Sequence, residues 1–254
     1  MILRRIIAHF RKQEWTAIGI DFVIVVIGVF IATQVAEWSA GEADKRRGRV
    51  YLQQLTADME QDRRGLEWIG GYYDEVYEGA VRANALLEQP NPNARELVIN
   101  AYRGTEYMYY ATTNSTWNQI VSSGDMALVP ADVRGAIEEY LRYNSSREVE
   151  ERFGNSAYRQ IVRRLISHDV QDALRARCSE QNDATGGVTN FPATCDLSGV
   201  DDAQILASAR ALQQNPQVLL DLRYQISDLA ASRANIARHT IKSEMVIAAL
   251  EEAQ

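Results

Sequence analysis

The sequence is short of the residues that most catalytic and metal sites require. Its three histidines, His9, His168 and His239, lie in separate segments, and none belongs to a metal-ligand spacing such as HExxH. A GxSxG nucleophile elbow, a P-loop and a GxGxxG phosphate loop are also absent. We therefore predict a protein that is not an enzyme and that carries neither a metal nor another cofactor.

The chain also lacks a net positive charge, because its 34 acidic residues outnumber its 27 lysines and arginines and the formal net charge is -7. Such a chain has no overall basic footprint for phosphate, so nucleic acid is not an expected partner. Basic residues concentrate in residues 1–14, which have the pattern of a short amphipathic helix. This segment is predicted either to lie on the inner membrane surface or to be an ordinary cytoplasmic flank.

Long apolar runs are absent except for residues 15–38, which are bounded by Trp15 and Trp38. The run is long enough to cross a bilayer core of ~30 Å, and it ends without the small-residue cleavage site of a signal peptide. We predict a retained membrane helix with the N-terminus inside. Four basic residues shortly after the helix weaken the charge asymmetry behind this orientation: Lys45, Arg46, Arg47 and Arg49.

Cysteine is limited to Cys178 and Cys195, which flank a loop rich in Gly, Thr, Asn and Pro within residues 176–201. In an extracytoplasmic segment an even cysteine count favours a disulfide that closes this loop, over two unrelated thiols.

Helical periodicity dominates the rest of the chain. Apolar residues follow spacings of three and four over residues 52–87, where only Asp62 breaks the row, and a kink or short break is expected at Gly70-Gly71. Shorter helices are expected to follow the turn at residues 89–93, and Ser122-Ser123-Gly124 is expected to end one of them. Pro216 opens a final long helix. We predict an all-α fold in which residues 39–254 form an extracytoplasmic bundle, with two long helices paired antiparallel and several shorter ones beside them.

One face of the predicted membrane helix carries small residues and a single acid. Ala17, Asp21, Gly28 and Ala32 fall near one line at ~100° per residue. Gly28 and Ala32 form a small-xxx-small pair, so this face is predicted to associate with another helix. The alternatives are that the small residues are merely typical of membrane helices and that Asp21 sits among lipid headgroups.

Aromatic residues are concentrated in the first half of the predicted bundle. Such a cluster either lines a ligand pocket or, more commonly, packs in a helical core. The candidate pocket residues are Trp68, Tyr72, Tyr73, Tyr107, Tyr110 and Trp117.

Two stretches resemble the domain of unknown function 6090 family of bacterial membrane proteins. The run IGIDFVIVVIGVFIATQVAEW is similar to that family's anchor, and TWNQIVSSGDMALVPADVRGAIEEYL is similar to its internal helix-SSG-helix element. The resemblance implies a bacterial, single-pass, cytoplasmic-membrane protein with a mostly helical outer domain, and it implies no activity. The matching positions are Asp21, Gly28, Ala32, Gln34, Trp38, Ser122, Ser123, Gly124 and Leu128.

These observations favour a membrane-anchored interaction or scaffold protein that associates with itself through its membrane helix and long outer helices. Its expected partners are the lipid bilayer and either a second copy or another membrane subunit. The alternative is a periplasmic small-molecule-binding sensor or an accessory subunit of a membrane complex. In either case the bundle is expected on the periplasmic side of the inner membrane.

Overall fold

A computed structural model of the chain describes residues 15–142, 151–181, 191–192 and 194–254, with side chains from residue 19 onward. The predicted basic segment of residues 1–14 and the side chain of Ala17 lie outside the described residues. Within them the regular structure is entirely helical, as predicted. The α-helices are α1 (Trp15–Leu87), α2 (Ala94–Arg103), α3 (Ser115–Ser123), α4 (Ala131–Arg142), α5 (Ala157–Leu165), α6 (His168–Arg177), α7 (Asp202–Gln214) and α8 (Pro216–Glu252).

The ends of these helices are set by local capping chemistry. The Asn93 side chain accepts hydrogen bonds from the first backbone N–H groups of α2, and Asn215 does the same for α8, whose first residue is Pro216. Gly124 ends α3 with φ of 77°, a left-handed conformation that glycine adopts without steric cost. The expected stop at Ser122-Ser123-Gly124 is therefore confirmed.

Helix α1 is a single element of 73 residues, about 110 Å long at ~1.5 Å per residue. Of the kink or short break expected at Gly70-Gly71, the break is wrong, because the helix continues through both glycines. A Cβ on Gly70 would lie 3.7 Å from the Ile236 Cγ2 atom of α8. Packing against α8 thus supports the helix where glycine lowers its intrinsic stability.

Helix α8 runs back along α1 in the opposite direction. Arg223 pairs with Glu88 at 3.0 Å, whereas Gln254, at the other end of the helix pair, donates to the Thr56 hydroxyl at 2.9 Å. The two long helices are therefore antiparallel, as predicted, and the shorter helices pack beside them. The buried apolar residues between the elements include Leu55, Leu66, Tyr73, Val76, Leu97, Ile137, Leu222, Leu229, Val246 and Leu250.

A buried carboxylate, Asp62, joins three segments inside this core. Its oxygens accept hydrogen bonds from the Tyr110 hydroxyl at 3.0 Å, the Thr113 N–H at 2.7 Å and the Tyr140 hydroxyl of α4 at 2.8 Å. Burial and the neighbouring Asp62 raise the pKa of both tyrosines, which therefore stay protonated as donors. Asp62 thus fixes the connection after α2, and also α4, against α1.

Two glycines of α1 offer a matched test of this packing. A methyl group on Gly71 meets no atom within 4 Å, whereas on Gly79 it would lie 2.6 Å from Arg103 Cγ of α2. Gly71→Ala should stabilise the full-length protein by about 0.5–1 kcal/mol, and Gly79→Ala should destabilise it by about 1–3 kcal/mol. Denaturant unfolding in detergent, followed by circular dichroism, measures both changes. Equal stability of the two variants would contradict the described contact between α1 and α2.

Candidate functional site

The first candidate surface is the apolar part of α1, which is long and apolar enough to span a membrane. Residues 19–40 are all exposed, including large side chains such as Phe22 and Phe30. Burial begins only after this segment, where Gly48 and then Leu52 contact the bundle. The apolar segment therefore projects from the bundle on an uninterrupted helix.

The small-residue face of this segment continues along the outer side of α1. Asp21, Gly28 and Ala32 are exposed, and nothing lies within 4 Å of a Cβ built on Gly28. Eighteen residues make five full helical turns, so Arg46 lies on the same side as Gly28, and Val50 lies on the same side as Ala32. Both are exposed. We call this continuous face, from Asp21 to Val50, the outer face of α1.

A disulfide joins Cys178 and Cys195, as the even cysteine count around this loop favoured. It closes the connection between α6 and α7, in which residues 182–190 and 193 lie outside the described part of the chain. The described loop residues Phe191 and Leu197 are buried in the core. The loop is thus held on the bundle by apolar contacts as well as by the covalent bond.

A polar cluster lies beneath this loop and consists of Arg103, Glu106 and Ser179. The Arg103 guanidinium lies 3.2 Å from the Glu106 carboxylate, donates to the Cys178 carbonyl at 2.5 Å and covers the Phe191 ring at 3.6 Å. The Ser179 hydroxyl donates to the other oxygen of Glu106. The end of α2 is therefore tied to the disulfide loop through charged and polar groups.

Burial dominates the electrostatics of this cluster. It raises the pKa of Glu106 to about 7, although the Ser179 hydrogen bond and Arg103 oppose the change. Burial also lowers the pKa of Arg103 and raises that of Tyr72, whose hydroxyl is buried and has no hydrogen-bond partner among the described residues. Glu106 can therefore gain or lose a proton near neutral pH.

An open cleft of about 760 Å³ lies beside this cluster, between α1, α2 and the disulfide loop. Carboxylates line it on both helices, and Arg103 with Phe191 forms one wall. No group of three or more histidine, cysteine, aspartate or glutamate side chains is placed to hold a metal ion in the described part of the chain. The lining residues are Glu75, Glu78, Gly79, Arg82, Glu96, Ile99, Asn100, Arg103, Phe191, Pro192 and Cys195.

The aromatic residues predicted as a pocket do not line this cleft. Trp68, Tyr72 and Tyr73 form one group on α1, where the Tyr72 ring lies 6.1 Å from Trp68 and 5.5 Å from Tyr73. The other three have different surroundings: Tyr107 packs under Arg159, Tyr110 bonds to Asp62, and Trp117 is buried on α3. This arrangement favours packing in the helical core, which the sequence analysis gave as the alternative to a ligand pocket.

Sequence reasoning missed the cluster of Arg103, Glu106 and Ser179. Arg103 is the last residue of α2 and Glu106 lies three positions further along, whereas Ser179 follows Cys178 far along the chain. No local pattern links them, and only the position of Ser179 beside a predicted disulfide offered a signal. Asp62, in contrast, was visible as the one polar residue in an apolar helical row.

Comparison with known proteins gives one match. The model of a family of unknown function, DUF6090, matches residues 21–147, which is half of the chain. The matched part runs from Asp21 to beyond the end of α4 and so includes the apolar segment, the Asp62 centre and the helix-SSG-helix element. No curated protein and no solved structure matches the chain.

The raised pKa of Glu106 predicts a specific pH dependence of stability. In the unfolded chain this carboxyl ionises near 4.5 and in the folded protein near 7, so its contribution to stability falls as pH rises through that interval. The glutamine side chain in Glu106→Gln stays neutral at both pH values. The free energy of unfolding of this variant, relative to that of the wild type, should therefore rise by about 2–3 kcal/mol between about pH 5 and about pH 8.

Denaturant unfolding at both pH values measures this difference. Glu96→Gln, an exposed residue of the same cleft, provides the control and should show no such change. A Glu106→Gln variant whose relative stability stays constant with pH would show that Glu106 ionises normally in the folded protein.

Proposed function

Because the chain belongs to the DUF6090 family, whose function is unknown, we propose a role from its own geometry: it is a membrane-anchored, non-enzymatic scaffold that associates with itself. The observation that carries this proposal is the outer face of α1. One helix face presents an acid and small residues in the apolar segment and stays exposed where the bundle begins. A second copy can therefore approach along this face without meeting the bundle.

The small residues allow close helix contact in lipid. Helices in a bilayer gain little from the hydrophobic effect, so they associate where Gly and Ala let the backbones approach. No described atom lies within 4 Å of a Cβ built on Gly28, and Ala32 lies about one helical turn further along the same face. The Cβ-free position of Gly28 thus supports a contact between two α1 helices.

Asp21 adds a polar reason for association. Its neighbours one turn away, at positions 17, 18, 24 and 25, are apolar, so its own helix offers no cation. An acid in the hydrocarbon region is costly unless it is hydrated, protonated or paired. A second α1 helix that packs on this face brings another polar side chain next to Asp21 and shields it from lipid.

We place the N-terminus in the cytoplasm and the bundle in the periplasm of a bacterial inner membrane. The basic residues before Trp15 support this orientation. The disulfide supports it too, because such bonds persist in oxidising compartments.

The open cleft beside Arg103 favours a second candidate function, a small-molecule-binding sensor or accessory subunit. Its carboxylates Glu75, Glu78 and Glu96 suit a cationic ligand, and Ile99 and Pro192 add apolar lining. Native mass spectrometry of the detergent-purified protein separates the two roles: an oligomer without a retained molecule supports the scaffold, and a monomer with one supports the sensor.

Bulky residues on the outer face should weaken self-association. The double variant Gly28→Ile with Ala32→Ile pushes the helix backbones apart while it keeps the segment apolar. A cysteine at position 25, on the same face, reports the dimer formed through α1 by crosslinking in membranes. We expect this dimer to be largely lost in the double variant. The matched control, Val23→Ile with Phe30→Ile, changes the opposite side of the helix and should leave it intact. Unchanged crosslinking in the first variant would show that this face is not the interface.

The orientation has its own test. Glu138 is exposed on α4, so Glu138→Cys provides an accessible thiol in the bundle. A membrane-impermeant maleimide should label this variant in intact spheroplasts, and the wild type, whose cysteines form a disulfide, should stay unlabelled. Labelling that appears only after the membrane is broken would reverse the proposed topology.

A further inference from the structure

Helix α8 carries an apolar row on the side that faces away from the bundle. Outside the apolar segment of α1, few large apolar side chains are exposed, and four of them lie on this one helix: Leu220, Tyr224, Ile241 and Met245, each with at least 54% of its surface accessible. The opposite side of α8 packs on the bundle through Leu222, Leu229 and Val246. The exposed row is therefore not needed for the fold described above.

This row has the spacing of a coiled-coil seam. From Leu220 to residue 248 the exposed positions alternate at intervals of four and three, over about 42 Å of helix. The middle positions are small, namely Ser227, Ala231 and Ala234, and Ala248 ends the row. Only Arg238 is charged. We call these positions, from Leu220 to Ala248, the α8 seam.

We propose that the α8 seam binds the same seam of a second copy of this chain as a parallel two-stranded coiled coil. This inference rests on the proposed function only in that α1 anchors both copies in one membrane. Anchoring from the same end makes the two α8 helices point the same way when the two-fold axis lies along the membrane normal. It also raises the effective concentration of the seam, so a narrow contact suffices.

Charges beside the seam suit the parallel arrangement. In heptad terms, Leu220, Ser227 and Ile241 occupy d positions, while Arg223 is a g position and Asp228 the e position of the following heptad. Parallel, in-register helices bring g of one helix next to that e position of the other. Arg223 and Asp228 are of opposite charge, and both are at least partly exposed. Arg223 also bonds to Glu88 at 3.0 Å, which leaves further guanidinium donors for this contact.

Arg238 occupies an a position near the middle of the seam. Its guanidinium turns back along its own helix to the Ala234 carbonyl and the Asn235 side-chain oxygen. A polar residue at one a position lowers the stability of a coiled coil and fixes its register. This residue thus makes the seam contact weak and reversible.

The α8 seam and the outer face of α1 lie on different sides of the molecule. Buried residues of α1 such as Leu55 and Leu66 face α8 and the other helices, and the outer face is on the opposite side of that helix. The seam in turn faces away from α1. The two contacts therefore use separate surfaces and fail separately.

Cysteine crosslinking of the full-length chain in membranes tests the seam. Ile241→Cys places a thiol at a d position, where a parallel in-register pair brings it close to its twin, and Glu138→Cys on α4 is the exposed control. Under mild oxidation we expect a dimer of the first variant and little of the second. This dimer should persist when Gly28→Ile and Ala32→Ile are added.

Arg238→Leu provides a test in the opposite direction, because it removes the charge from the seam. It should strengthen the contact about fivefold, seen as a higher crosslinked fraction of Ile241→Cys at equal protein density. A gain that Glu138→Cys does not share in the same Arg238→Leu background distinguishes a stronger seam from general aggregation.

The following results distinguish failure of the seam proposal from failure of the proposed function. Crosslinking of Ile241→Cys no stronger than that of Glu138→Cys, or no gain from Arg238→Leu, overturns the seam proposal. Preferential crosslinking between Leu220→Cys and Ala248→Cys in a mixed sample also overturns the seam proposal, because it shows an antiparallel pair. If the seam proposal fails but a cysteine on the outer face of α1 still crosslinks, the proposed function survives.

Discussion

The structure depends on α1 remaining one helix while its surroundings change. Its first part is largely apolar and is exposed to every side among the described residues, and its second part buries only one side against the bundle. Because no loop separates the two parts, the bundle cannot rotate about the apolar segment. Any contact that fixes the rotation of α1 in a membrane therefore also fixes which side of the bundle faces a neighbouring molecule.

Buried polar groups hold the connections that apolar packing leaves undefined. Asp62 receives three donors from two segments, and Arg103 with Glu106 fastens the disulfide loop to α2. A buried charge is costly unless it is paired and hydrogen-bonded, so each centre accepts few alternative arrangements. Apolar side chains set the stability of the bundle, while these centres set how its irregular segments are placed.

The long elements were predictable because their signals are local. The turn at residues 89–93, the cap at Gly124 and the start at Pro216 depend on neighbouring residues, and the structure confirms them. The prediction of a break at Gly70-Gly71 was wrong because the helix is supported there by α8, which lies far along the chain. The cluster of Arg103, Glu106 and Ser179 was not predicted for the same reason, because its members meet only after the bundle has formed.

The two proposed contacts together have a geometric consequence that neither has alone. Each is isologous, since it joins the same surface on both copies. With both two-fold axes along the membrane normal, one rotation followed by the other is a translation in the membrane plane. Copies joined through the outer face of α1 and the α8 seam in alternation therefore form an open row and not a closed ring. The charge of Arg238, which weakens one of the two contacts, then limits the length of such rows.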